Sequence, residues 1–116
     1  MTSNVLMFGW NRSIPSRETH SAQHFKDFTE YLAAQQSAGN IASFEPVLLE
    51  PNGSGLHGFF LIRGETEQLN RLTSSQDWLQ HVTRAILHLE GTTLTRGVNG
   101  AALRDRMGLW MAAIPR

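Results

Sequence analysis

The chain has no cysteine. Disulfides, thiolate metal sites and a cysteine nucleophile are therefore excluded, and the composition suits a reducing compartment. It has no excess of either charge: Lys+Arg and Asp+Glu number 10 each, for a formal net charge of zero. Without surplus positive charge there is no general attraction to phosphate backbones or to anionic membrane surfaces. Nucleic acid and membrane are thus not expected partners. Weak mutual repulsion leaves self-association open. No apolar run approaches the ~20 residues needed to span a bilayer. The start, Met1-Thr2-Ser3-Asn4, lacks the basic lead-in and apolar core of a secretory signal, so a cytoplasmic location is expected.

What is present is the composition of an ordered protein, 41% hydrophobic and 17% charged. The 116 residues suffice for one domain, 1–116, with a single modest core. Asn4 to Arg12 is nearly all apolar and reads as a strand covered on both faces, with Gly9 marking a close approach. Ser16 is a candidate N-cap for a helix from Arg17 to Ala38, whose apolar stripe runs through Phe25, Phe28, Tyr31 and Leu32. Gly39 sits where a left-handed C-cap prefers glycine.

Ile41 to Glu50 is a second strand with Pro46 at its middle, which assigns it to an edge or a bulge. A loop containing Asn52-Gly53 leads into a third strand, His57 to Gly64. Glu65 to Leu72 is a short helix. Ser74 and Asp77 form a candidate capping box for the next, with Trp78, Val82, Ala85 and Leu89 on its stripe. Leu89 to Gly97 is a fourth strand. Ala101 to Ala113 is a last helix, with Leu103, Met107, Trp110, Met111 and Ile114 on one side.

Two βαβ-like halves joined by a central hairpin make an α+β fold. The expected form is a ferredoxin-like βαββαβ with a C-terminal helix and a four-stranded antiparallel sheet. Its central strands are the first and third. Both are apolar on both alternations, yet helices cover only one face, so a large apolar patch would stay bare. At roughly 25 cal/mol per Å², covering it is worth several kcal/mol. A second copy about a two-fold axis is the simplest cover. The last helix either braces that dimer or packs on its own domain.

The run Gly58-Phe59-Phe60-Leu61-Ile62-Arg63-Gly64, the acidic helix Glu65 to Leu72, and the helix start Ser74-Ser75-Gln76-Asp77-Trp78 carry a resemblance. The chain resembles the dimeric α+β barrel superfamily. That group includes YCII-related proteins, stress-responsive barrel proteins, EthD-like proteins and cofactor-independent monooxygenases of antibiotic biosynthesis. The resemblance implies a homodimer whose two sheets enclose a barrel, often with a ligand cleft beside each sheet. YCII-related members are associated with a His/Asp pair near the first helix and second strand. Here the second strand offers Glu45 and neither His nor Asp, so no catalytic residue carries over.

Antiparallel pairing brings Trp10 and Arg12, at the end of the first strand, toward His57 and Glu90, with Glu50 across the hairpin from His57. Apolar walls with a few convergent polar groups describe a small-molecule pocket, and a histidine beside a carboxylate can act as a base. The alternative is a rim of surface ion pairs worth little individually. His20 and His24 lie one helical turn apart and could chelate a metal, but no third ligand is fixed nearby, so no metal is expected. His81 and His88 read as surface residues. Asn52-Gly53-Ser54-Gly55 lacks the lysine and following helix of a phosphate loop. No nucleophile elbow or dinucleotide fingerprint occurs, so no cofactor is expected. The expected function is binding of a small, partly apolar organic ligand. A cofactor-independent monooxygenase or isomerase and a ligand-free structural dimer are the alternatives.

Overall fold

The computed structural model describes residues 3–115. Residues 1, 2 and 116 lie outside it, and with them part of the segment read above for a secretory lead-in. The strands are β1 (Val5–Trp10), β2 (Arg12–Ser13), β3 (Ser43–Leu48), β4 (Gly58–Arg63), β5 (Leu89–Glu90) and β6 (Thr93–Gly97). The helices are α1 (Glu18–Ser37), α2 (Thr66–Ser74), α3 (Gln76–Ile86) and α4 (Ala101–Ala113). A four-stranded antiparallel sheet runs in the order β3-β4-β1-β6, and β2 pairs with β5 in a short ribbon. This is the ferredoxin-like α+β arrangement expected from the sequence.

The two strands that are apolar on both alternations occupy the middle, and the proline strand is at an edge. Leu49 N donates to His57 O at 3.0 Å. Antiparallel alternation then puts the odd-numbered residues of β3 in the hydrogen-bonded positions, so the missing N–H of Pro46 falls on the outer side. α1 ends as its glycine predicts. Gly39 has φ 79°, Asn40 N donates to Gln35 O, and Gly39 N donates to Gln36 O, the paired bonds of a Schellman cap.

The register sets the core. Pairing of Phe8 with Phe60 and of Leu6 with Ile62 puts these four on one face, where all are buried. α1 covers them with Phe28 and Leu32, α3 with Trp78 and Ala85, and α2 with Leu69 and Leu72. Each large side chain so buried contributes roughly 1.5–3 kcal/mol. On the other face Val5, Met7, Phe59 and Leu61 are only half-buried.

Three local expectations are corrected. Ser16 does not cap α1: its φ of 75° turns the chain, its N–H donates to Glu18 Oε1, and Arg17 takes the cap position. Ser75, not Ser74, caps α3, its Oγ accepting from Trp78 N, while the capping box belongs to Glu65 and Gln68 of α2. The fourth strand is not continuous. Gly91, at φ 67°, bends it into β5 and β6, and a Cβ there would lie 3.0 Å from Asn11 Cβ. That bend redirects the chain from the ribbon with β2 to the main sheet beside β1.

α4 has the bounds its pattern predicts and no buried residue. Trp110 and Met111 are each 64% exposed. The radius of gyration is 15.8 Å, against about 13 Å for a compact chain of this length. The last helix therefore extends from the fold and does not close over its own sheet.

Candidate functional site

Between the helix-covered face of the sheet and the α1–α3 pair, the core leaves a cavity of about 250 Å³. Phe8, Trp10 and Phe60 form its floor, Phe25 and Phe28 one wall, and Leu48 and Leu89 one end. Small residues on the covering helices, Ala22 and Ala85, leave the space unfilled. The Trp10 indole lies over β4 because position 58 is glycine: a Cβ there would sit 2.5 Å from the indole ring. Its ring centroid is 5.8 Å from that of Phe60 and 6.2 Å from that of Phe25.

The polar part of the wall is a histidine chain. His24 stands four residues before Phe28 on the buried stripe of α1. His81 stands three after Trp78 on α3, and His88 three after Ala85, just past its end. The helix pair brings them edge to edge. His24 Nδ1 is 2.8 Å from His88 Nε2, and His24 Nε2 is 3.0 Å from His81 Nδ1. His88 Nδ1 is 2.8 Å from Ser21 Oγ, which is in turn 2.7 Å from Ser13 Oγ. The expectation that His81 and His88 are surface residues is thus overturned: His88 is 4% exposed, His24 5%, and His81 half-buried. Each lies on an apolar helical stripe, and that was the available signal.

Burial holds these rings neutral. The His24 imidazole is pushed down to about 4, first by desolvation and then by the Arg84 guanidinium and its two histidine neighbours; Asp27 works the other way. His81 and His88 are likewise lowered, chiefly by desolvation and then by Arg84. Arg84 itself is paired with Asp27 at 2.9 Å, tying α3 to α1 above the rings. The ring nitrogens point at one another and not at a common centre. Both nitrogens of His24 are engaged, which leaves none for chelation with His20, an exposed residue. No group of three or more His, Asp or Glu able to hold a metal occurs among the described residues.

The residues proposed from sequence lie at the same end of the sheet. Trp10 lines the cavity. Arg12 and Glu90 meet across the β2–β5 ribbon at 2.8 Å. The His57 ring bonds Asn11 Oδ1 at 2.8 Å and Asn52 O at 3.2 Å, and no carboxylate pairs with it among the described residues. Glu50 contributes its backbone carbonyl to Asn52. Two of the polar four are therefore joined directly, while His57 is held by amide and backbone oxygens.

No family model and no curated protein matches the chain. Among solved structures it is similar to a dimeric protein of unknown function and ferredoxin-like fold from Bacteroides fragilis NCTC 9343. The TM-score is 0.60 at 9% identity, covering 82% of this chain and 95% of that one. The similarity establishes a shared ferredoxin-like fold. No helix among the described residues is long and apolar enough to cross a membrane.

Proposed function

We propose that this protein binds a small, neutral, largely apolar organic molecule in the cavity between sheet and helices. The supporting observation is the lining: aromatic side chains on most sides, with Ser21, His24, His81 and His88 as its polar part. Such a wall offers dispersion and stacking to a ring or acyl group and one hydrogen-bonding edge to a single polar substituent. An engineered apolar cavity of about 150 Å³ holds benzene, so the space here suits something nearer a bicyclic ring. Arg12, Glu50, His57 and Glu90 form the rim of this site in the same reading.

The working unit is a homodimer of 1–116 barrel domains, as the resemblance to dimeric α+β barrels implies. Exposed apolar residues of α4, the half-buried open face of the sheet, zero net charge and a dimeric neighbour of the same fold all favour a second copy as the cover. A cysteine-free chain suits the reducing cytoplasm, where we place it.

The test is native mass spectrometry against neutral bicyclic aromatics, with Ala22→Trp as the blocked control. Wild type should take up one ligand per chain and the variant none. Equal uptake by both, or none by wild type, contradicts the proposed site.

A further inference from the structure

Linked rings on a cavity wall set each other's protons. The hydrogen bonds engage Nδ1 and Nε2 of His24, Nδ1 and Nε2 of His88, and Nδ1 of His81. Of these three rings, His81 Nε2 is the one nitrogen without a hydrogen-bond partner among the described residues. A neutral imidazole has one N–H and one lone pair. If His81 Nδ1 donates to His24, then His24 Nδ1 donates to His88, and His88 Nδ1 donates to Ser21 Oγ. His81 Nε2 then presents a lone pair. In the reverse order Ser21 O–H donates to His88, and His81 Nε2 presents an N–H. Both orders carry the same number of protons, and both satisfy every bond in the chain.

We propose that His81 Nε2 is the acid–base group for proton transfer within a small neutral carbonyl compound held in this cavity. The reaction class is enolisation, or the shift of a C–H proton to a neighbouring position. His24, His88 and Ser21 act as positioning residues that hold the ring and select its tautomer. The inference rests on the ligand-site reading above and gives that site its substrate class. In the step, the substrate C–H bond breaks and its electron pair forms the C=C of an enolate. The carbonyl π pair moves onto oxygen, and the proton rests on His81 Nε2. It returns to oxygen to give the enol, or to carbon. Nothing is oxidised or reduced.

The surroundings suit this role. Phe28 lies 5.2 Å and Tyr31 4.5 Å from the His81 ring, centroid to centroid, fixing its plane and drying one side. Desolvation keeps the ring in its basic form at neutral pH.

The test uses 2-tetralone in D₂O, with deuterium uptake at its acidic C–H positions followed by NMR and binding followed in parallel by saturation transfer. Wild type should speed uptake by about 100-fold over buffer, the range of a positioned acid–base group. His81→Gln should abolish the acceleration and keep binding. Ser21→Ala and His88→Gln should lower the saturated rate and move its pH profile with little change in half-saturating concentration. Should a buried variant fail to fold, the half-buried His81→Gln decides alone. Binding without acceleration, or acceleration that survives in His81→Gln, overturns the proton-transfer role and leaves the ligand site standing. Absence of binding defeats the ligand-site reading, and this inference with it.

Discussion

Trp78 and Trp110 sit on helices of similar length, each with apolar residues at helical spacing. Trp78, on α3, is 2% exposed and packs on Phe8 and Phe28, while Trp110, on α4, is 64% exposed. Spacing marks a stripe as apolar; it does not say what covers it. α3 follows a capped turn that returns it to the sheet. α4 leaves the edge strand β6 after the bond pair between Asn4 and Asn99 and extends away. One helix completes a core, and the other presents a surface that a second copy can cover.

The largest expected contrast is between these two tryptophans. Trp78→Ala should cost about 3–5 kcal/mol of chain stability by urea titration, because it opens a hole in a packed core. Trp110→Ala should move the same titration by less than about 0.5 kcal/mol, in the range of surface changes, when measured at a dilution where dimers dissociate. In the proposed dimer it should weaken association by about tenfold or more, as for a central aromatic anchor, read by sedimentation. Equal stability losses for both would erase the distinction.

Next comes pH. His24 is near 4 when folded against an ordinary 6.5, so the unfolded chain takes up a proton first as pH falls. Stability should be full above about pH 6.5 and decline down to about 4, by roughly 3 kcal/mol. Asp27, held below the usual carboxylate range by its hydrogen bond to Arg84, should stay charged over most of that window. His24→Gln should flatten the slope, whereas variants in α4 should leave it unchanged. The smallest effect belongs to the rim. Arg12→Ala should leave the urea titration nearly unmoved, because the Arg12 side chain in its pair with Glu90 is 71% exposed and water screens the pair.

Much of the fold was legible because single residues carried strong constraints. Pro46 assigned its strand to an edge, Gly39 ended α1, and the apolar β1 and β4 had to be central. The break at Gly91 was not legible, since a threonine-rich run reads as strand whether or not a glycine bends it. Of the cavity, only Trp10 was foreseen. Spacing pairs His24 with His20 on its own helix, but its partners come from α3 and the turn beyond, brought close by helix packing. Spacing along a chain cannot supply register between elements. His24, His81 and His88 each fell on an apolar stripe, and a polar residue repeatedly on buried stripes is the sign that was there to read.

Histidine ring NMR, with long-range ¹⁵N–¹H signals followed as indole is added, tests the ligand site most directly. The signals of His24, His81 and His88 should move together and saturably, while His20 and the Trp110 indole stay fixed. Movement of Trp110 with the three linked rings silent would place the ligand on the exposed helix and contradict the site.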